Sequence, residues 1–268
     1  MEPEWKYLTE KDQKTIREIA ERHLPPLAQY PAAPLYHYTS GENLIRIIES
    51  DELWSTQIAC LNDMAEVRYG LGELQKRVDQ QRATTQESEL EPLWEQIDKF
   101  LADPQLETAG VFVACFSELN DDLSQWRAYS GGEGGYAIRF DLHRMRGQTT
   151  REEPAAMGRG IRAVYLWLIE ILLVCLKHPA FAGEQEWRMV NYWRPADKTQ
   201  MRFRQRRSTM SRHVRIQFSE GLPISGVTVG PCRYPLLSKI AVSDLLFNHG
   251  YTSAVENVEL SRIPYRVV

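Results

Sequence analysis

Hydrophobic positions along this chain come in two textures. Short runs of β-branched and aromatic residues have strand length, and longer segments repeat an apolar residue every three or four positions. The run LYHYT, Leu35–Thr39, is rich in strand formers, and Ser40 behind it is suited to cap a helix whose Leu44, Ile47 and Ile48 share a face. ELWSTQ reads as a second strand. LND at 61–63 caps a long helix carrying Val67, Leu71, Leu74 and Val78, and a further helix is predicted around LEPLWEQIDKFLA. GVFVACFSE is a nearly continuous apolar run of strand length, and the polar and aromatic segment LNDDLSQWRAYSGGEGG separates it from another strand, YAIRFDL. Beyond a less patterned stretch lie an apolar helix over Tyr165–Leu176, a strand in the second half of HPAFAGEQEWRMVNYW, and the basic segment MRFRQRRSTMSRHVR. The strands IQF and GVTVG, a helix over LLSKIAVSDLLFNHG and a last strand in VENVELSRIPYRVV complete the pattern.

Ahead of this core, Thr9 opens a charged helix reaching about His23, and Pro25, Pro26, Pro31 and Pro34 enforce an extended connector. The expected organisation is therefore an N-terminal helix and Pro-rich connector over residues 1–34 and a single α+β domain over 35–268. Its sheets are expected to be split and mixed or mostly antiparallel, with helices flanking them.

With 268 residues and a formal charge of −4, the chain has no overall attraction to nucleic acid or anionic lipid, so any such contact must come from a local patch. The charged N-terminus lacks an apolar signal region, and the Tyr165–Leu176 run is too short to span a bilayer and carries Glu170. No membrane partner and a cytoplasmic location are the expectations. Cys60, Cys115, Cys175 and Cys232 stand singly without metal-ligand spacing, which fits free thiols in a reducing compartment and no metal site.

Three places carry candidate chemistry. His37 stands among Tyr36, Tyr38, Thr39 and Ser40 at one strand end, where several polar groups and rings can meet a ligand, although a lone strand histidine also serves as an ordinary hydrogen-bonded residue. Trp126, Arg127 and Tyr129 beside a glycine-rich loop suit an anionic, stackable ligand; the alternative is a tryptophan core anchor with Arg127 in a structural ion pair. Glu184 and Glu186 are two apart, so on a strand both carboxylates share a face and repel unless a cation or reacting sugar lies between them. The alternative is an exposed strand edge paired to Arg188 or Lys177.

The succession LYHYTS, LWST, LND, CFSE, SQWRAYSGGEGGYAIRFD, KHPAF, EQEWR, VGP and SRIPYR resembles a widespread bacterial domain family of unknown function. More remotely, YHYTSGENLIRIIESDELWST is similar to the opening of ADP-ribosyltransferases of the DNA-targeting toxin and tRNA 2′-phosphotransferase kind. That second resemblance implies an ADP-ribosyltransferase-like fold with NAD bound by the first-strand histidine and a catalytic glutamate on a late strand. His37 takes the first role and Glu186 the second, with Glu184 orienting or deprotonating the acceptor. Tyr38, Thr39, Ser117, Trp126, Arg127 and Tyr129 complete the expected NAD-binding set. The residue that stacks on nicotinamide is left open among Ser117, Tyr129 and Tyr136.

The function expected on this basis is an NAD-dependent ADP-ribosyltransferase acting as a toxin or phage-defence effector, which implies an antitoxin partner. A non-catalytic nucleotide-sensing module and a phosphoester hydrolase or nuclease are the competing readings. Arg202, Arg204, Arg206 and Arg207 form a candidate contact for a nucleic-acid acceptor, against the alternatives of a solvated basic face or an internal arginine network.

Overall fold

The computed structural model describes residues 34–60, 64–84, 91–103, 110–130, 134–148, 183–192, 201–205, 210–216 and 218–264. The expected helices over 9–23 and 165–176, most of the Pro-rich connector, residues 131–133 of the glycine loop, and Arg206 and Arg207 lie outside the described residues.

In chain order the elements are β1 (Leu35–Ser40), α1 (Gly41–Ser50), β2 (Leu53–Gln57), α2 (Met64–Thr84), α3 (Glu91–Ala102), β3 (Val111–Ser117), α4 (Leu123–Tyr129), β4 (Gly135–Phe140) and α5 (Leu142–Gln148). Then come β5 (Glu186–Tyr192), β6 (Met201–Gln205), β7 (Met210–Ile216), β8 (Ile224–Val229), α6 (Pro235–Asn248), α7 (Thr252–Val255) and β9 (Val258–Leu260). Several elements go beyond expectation. The basic segment, for which the sequence predicts no element, forms a hairpin of β6 and β7 that takes in Ile216 of the expected IQF strand, the polar stretch after β3 holds the helix α4, and α5 and α7 are not among the expected elements.

The chain divides into two compact units. One comprises Met1–Tyr30, Ile58–Val111 and Arg151–Pro179, the other Pro31–Gln57, Phe112–Thr150 and Ala180–Val268. In the first, Val78, Trp94 and Ile97 form a small core with Leu71, Leu74, Phe100 and Leu101 packed against it. Arg82 lies over the Trp94 ring and pairs with Asp98 at 2.9 Å.

The second unit holds the sheet, in the order β6-β7-β2-β3-β1-β4-β8-β9, with β5 also paired to β3. β8 and β9 run parallel, whereas β1–β3, β1–β4, β2–β3, β2–β7, β4–β8 and β6–β7 are antiparallel. The architecture is thus α+β with a mixed, largely antiparallel sheet and flanking helices. β1 pairs with β4 along its whole length, Leu35 opposite Phe140 through Ser40 opposite Gly135, but touches β3 at the single pair Tyr36 and Ser117. The sheet is therefore well laddered from β1 through β4 to β8 and from β2 through β7 to β6, while β3 joins these ladders by one pair to β1 and two pairs to β2.

One face of this sheet is apolar. Leu35, Ala114, Phe116, Ile138, Phe140, Val227 and Val229 pack there against Leu44 and Ile48 of α1, Met145 of α5 and Val242 and Leu246 of α6. Burial of such side chains contributes about 1.5–3 kcal/mol each and is the main force holding the layers together. Ser40 caps α1 as its sequence suggests, its Oγ accepting from the Asn43 amide at 3.4 Å. On the opposite face Trp126 of α4 is buried against Tyr38 and Ala137. Gly230 permits this approach, because a Cβ there would stand 2.8 Å from the Trp126 ring.

Candidate functional site

β-strand side chains alternate between faces, and residues directly opposite one another across a ladder project to the same side. Tyr36 and Ser117 therefore share a face, and the odd-numbered positions of β3 continue it to Val113, which stands opposite Thr56. Thr56 stands opposite His213 and His213 opposite Arg202, so the same face runs on to the arginine hairpin. His37 alternates to the apolar side with Leu35, and its ring lies 5.8 Å from that of Phe116. At the bridge between β1 and β3, however, both faces contribute to one small cavity of about 50 Å³, lined by Tyr36, His37, Tyr38, Cys115, Phe116, Ser117, Gln125, Tyr129, Glu184 and Glu186.

Of the site residues expected from sequence, His37, Tyr38, Ser117, Tyr129, Glu184 and Glu186 line this cavity. Thr39, Trp126 and Arg127 do not. Thr39 and Trp126 are buried, and Arg127 is exposed on α4. Trp126 donates its Nε1 to Asp121 Oδ1 at 2.8 Å and meets the Tyr38 ring edge-on at 4.6 Å between centroids, which makes it a core anchor rather than a stacking platform. Tyr38 shares that structural duty: its hydroxyl donates to the Leu119 carbonyl at 2.7 Å and accepts from the Asp122 amide at 3.2 Å. Burial raises its pKa far above the usual phenol value, so the hydroxyl stays protonated. Ser117 is likewise fully engaged, donating to the Glu184 carbonyl at 2.7 Å and accepting from the Leu119 amide at 3.1 Å.

His37 is defined by one contact. Its Nδ1 lies 2.9 Å from the Cys115 carbonyl oxygen. A carbonyl only accepts, so Nδ1 carries the proton and Nε2 keeps its lone pair. Burial lowers the pKa of the ring, more than the Cys115 hydrogen bond raises it, and the Arg204 charge lowers it further. At neutral pH His37 is an uncharged imidazole offering an acceptor.

The two glutamates reach the cavity by a route the sequence does not show. β5 begins only at Glu186, and Glu184 lies in a short 3-10 turn before it. Gln185 between them has a left-handed φ of 43°, a conformation that costs a non-glycine residue energy. The turn is held by the Ser117 hydrogen bond to Glu184 and by the Glu118 amide donating to the Gln185 carbonyl at 3.1 Å. Glu186 is paired with Arg188, as its sequence alternative supposed, but not at an exposed edge. Arg188 Nε lies 2.9 Å from Oε1 and its second nitrogen 3.2 Å from Oε2, with the side chains only 11% and 8% exposed. Such a fork orients a carboxylate firmly.

Tyr129 stands beside this pair. Burial pushes its pKa well above the usual phenol value, the charges of Cys115, Glu186 and Glu184 push it further, and Arg188 partly opposes them. Its hydroxyl remains a donor. Tyr36, Cys115, Phe116 and Gln125 also line the cavity and were not among the expected site residues. For Gln125 a signal existed: Asp122 caps α4 by accepting from the Gln125 amide at 3.0 Å, and positions 125 and 129 then fall on one helical face.

The hairpin arginines are largely engaged within the protein. Arg202 and Arg215 both pair with Glu52, at 3.6 and 3.2 Å, and Arg212 Nε donates to Gln57 Oε1 at 2.9 Å. Arg204 lies over the Trp54 ring, 5.5 Å from its centroid. His213 is buried between the Thr56 and Ser211 hydroxyls, at 3.2 and 2.7 Å. Among the described residues no helix is long and apolar enough to cross a membrane. The chain matches no protein-family model, no curated protein and no solved structure among those searched.

Proposed function

We propose that this protein is an NAD-dependent ADP-ribosyltransferase whose reaction takes place in the cavity at the bridge between β1 and β3. The observation that carries this reading is that His37 and Glu186, far apart in sequence, line one cavity together with Tyr129. A sheet whose ladders are joined through β3 is compatible with the fold expected for such enzymes.

The lining also suits the ligand. It contains two carboxylates, three tyrosines and a neutral histidine, and neither lysine nor arginine. Such a wall favours a cationic aromatic group such as the nicotinamide ring of NAD. Scission of the nicotinamide–ribose bond places positive charge on the sugar. Glu186, oriented by Arg188, supplies the opposing charge and an acceptor for a ribose hydroxyl. His37 Nε2 offers a second acceptor and Tyr129 a donor. Glu184 is placed to orient or deprotonate the acceptor molecule.

A phosphoester hydrolase is less well supported, because Arg127, the cation that reading relied on, is exposed and outside the cavity. A nucleotide sensor would use the same cavity without turnover. For the acceptor we favour nucleic acid approaching along the face that carries Arg202 and Arg204, since the Arg204 charge already reaches His37. A toxin or phage-defence role, with an antitoxin partner, would follow from such an activity. The test is calorimetric titration with NAD combined with an assay for released nicotinamide. Binding with release is the expected result, binding without release would favour the sensor, and absence of binding would reject the transferase.

A further inference from the structure

The Gln125 side chain is a cavity group whose chemistry is left unused by the roles given above. The residue is only 5% exposed, and it lines the cavity one helical turn before Tyr129. Its backbone amide is spent on the Asp122 cap, but among the described residues its side-chain carboxamide has no hydrogen-bond partner. The neighbours do not supply one. Trp126 Nε1 is committed to Asp121, the Ser117 hydroxyl both donates and accepts elsewhere, and the Tyr38 hydroxyl does the same. Its polar atoms are not sealed within the protein, and the cavity the residue lines is where a ligand can reach them.

We propose that Gln125 recognises the carboxamide of a cationic aromatic ligand, and thereby makes the cavity select an amide-bearing pyridinium ring over its carboxylic-acid counterpart. Two carboxamides pair head to tail, each giving one N–H and accepting one, so a ligand amide satisfies both halves of the Gln125 side chain at once. A ligand carboxylate can accept from the Gln125 amino group but leaves its carbonyl unpaired, and it also brings negative charge towards Glu184 and Glu186. The walls around Gln125 agree with a flat ring: Tyr36, Tyr38, Phe116 and Tyr129 surround the same space. This inference rests on the reading of the cavity as the nicotinamide end of an NAD site.

The experiment measures equilibrium binding of NAD and of its nicotinic-acid analogue to wild type, Gln125→Leu and Gln125→Met, with thermal melting of each protein. Wild type is expected to prefer the amide about 10- to 100-fold, the range of one buried polar group left unpaired. Both variants should lose about tenfold or more of that preference while melting near the wild-type temperature, because a carboxamide that makes no hydrogen bond to the described residues holds little structure together. Variants that bind NAD and keep the wild-type preference would overturn the role of Gln125 and leave the NAD reading standing. A sharp drop in melting temperature in both variants would also overturn it, since the amide would then be a structural group. A wild-type protein that binds neither dinucleotide would overturn the NAD reading and this inference together.

Discussion

The cavity and the arginine hairpin belong to the same sheet, and they hold their polar groups in different ways. In the hairpin, charge is concentrated in the sequence and largely paired in the fold: Arg202 and Arg215 share Glu52, Arg212 meets Gln57, and His213 sits between two hydroxyls, while the Nε atoms of Arg204 and Arg215 are buried without a hydrogen bond. In the cavity the residues are mostly neutral, yet His37 keeps an open acceptor and Gln125 an unpaired amide. Density of charge along a chain is thus a poor guide to where a ligand goes. Polar groups held in place with capacity to spare are a better one.

The largest test of this contrast is Glu186→Gln, which removes the carboxylate charge while keeping size and one acceptor. Nicotinamide release should fall about 10²–10³-fold, the usual loss for one preorganised electrostatic group, with NAD affinity changing far less. The same substitution leaves the nearly buried Arg188 guanidinium without its counter-charge. A loss of stability of up to about 3–5 kcal/mol should accompany it, so rates must be compared well below the melting temperature. Full activity in this variant would show that the cavity holds no catalytic carboxylate at Glu186.

His37 sharpens the contrast through pH. Its folded pKa is lowered from 6.5, so the native state binds fewer protons than the unfolded chain between that lowered value and 6.5. Its contribution to stability is complete above 6.5 and is lost as the pH falls from there through the folded value. Melting temperature followed from neutral to acid pH should show this loss in wild type, and less of it in His37→Asn. NAD affinity should stay level through pH 6.5 and drop only at lower pH, and His37→Ala should weaken binding about tenfold. An affinity that changes at pH 6.5 would mean the imidazole is not shielded as the Cys115 contact implies.

Smaller effects belong to the hairpin. Glu52→Gln removes a partner from two arginines that are each about one-third exposed, and the stability change should stay under about 1 kcal/mol by denaturant titration. If nucleic acid is the acceptor, Arg202→Ala with Arg204→Ala should lower the salt slope of its binding by about one to two while leaving NAD affinity unchanged. An unchanged slope would remove the hairpin from the acceptor site.

Much of the scaffold is legible in the sequence, for reasons that lie in particular residues. LYHYT followed by Ser40 announces β1 and the cap of α1 because strand propensity and capping act over a few neighbouring positions. The apolar run before Ser117 likewise gives β3. The hairpin is illegible for the complementary reason: arginines in β6 and β7 mask the alternation, and acceptors such as Glu52 and Gln57 reach them from a distant segment only in the folded chain. α4 escapes because seven residues are too few for a helical period to emerge. At the site, His37 and Glu186 are foreseeable as chemical types, whereas the partnership of Glu186 with Arg188, the turn at Gln185 and the unpaired Gln125 depend on chain segments brought together only by folding.

The lone pairing of Tyr36 with Ser117 gives the sheet a seam. Ile138, by contrast, is laddered on both sides, to His37 and to Val227. In the language of amide exchange, protons inside the β1-β4-β8 ladder are released only when the sheet comes apart, while those along the seam can open in a smaller, cheaper fluctuation. Exchange at the Tyr36–Ser117 pair is expected to run ahead of exchange at Ile138, so the two walls of the cavity are joined by the line of the sheet expected to open first.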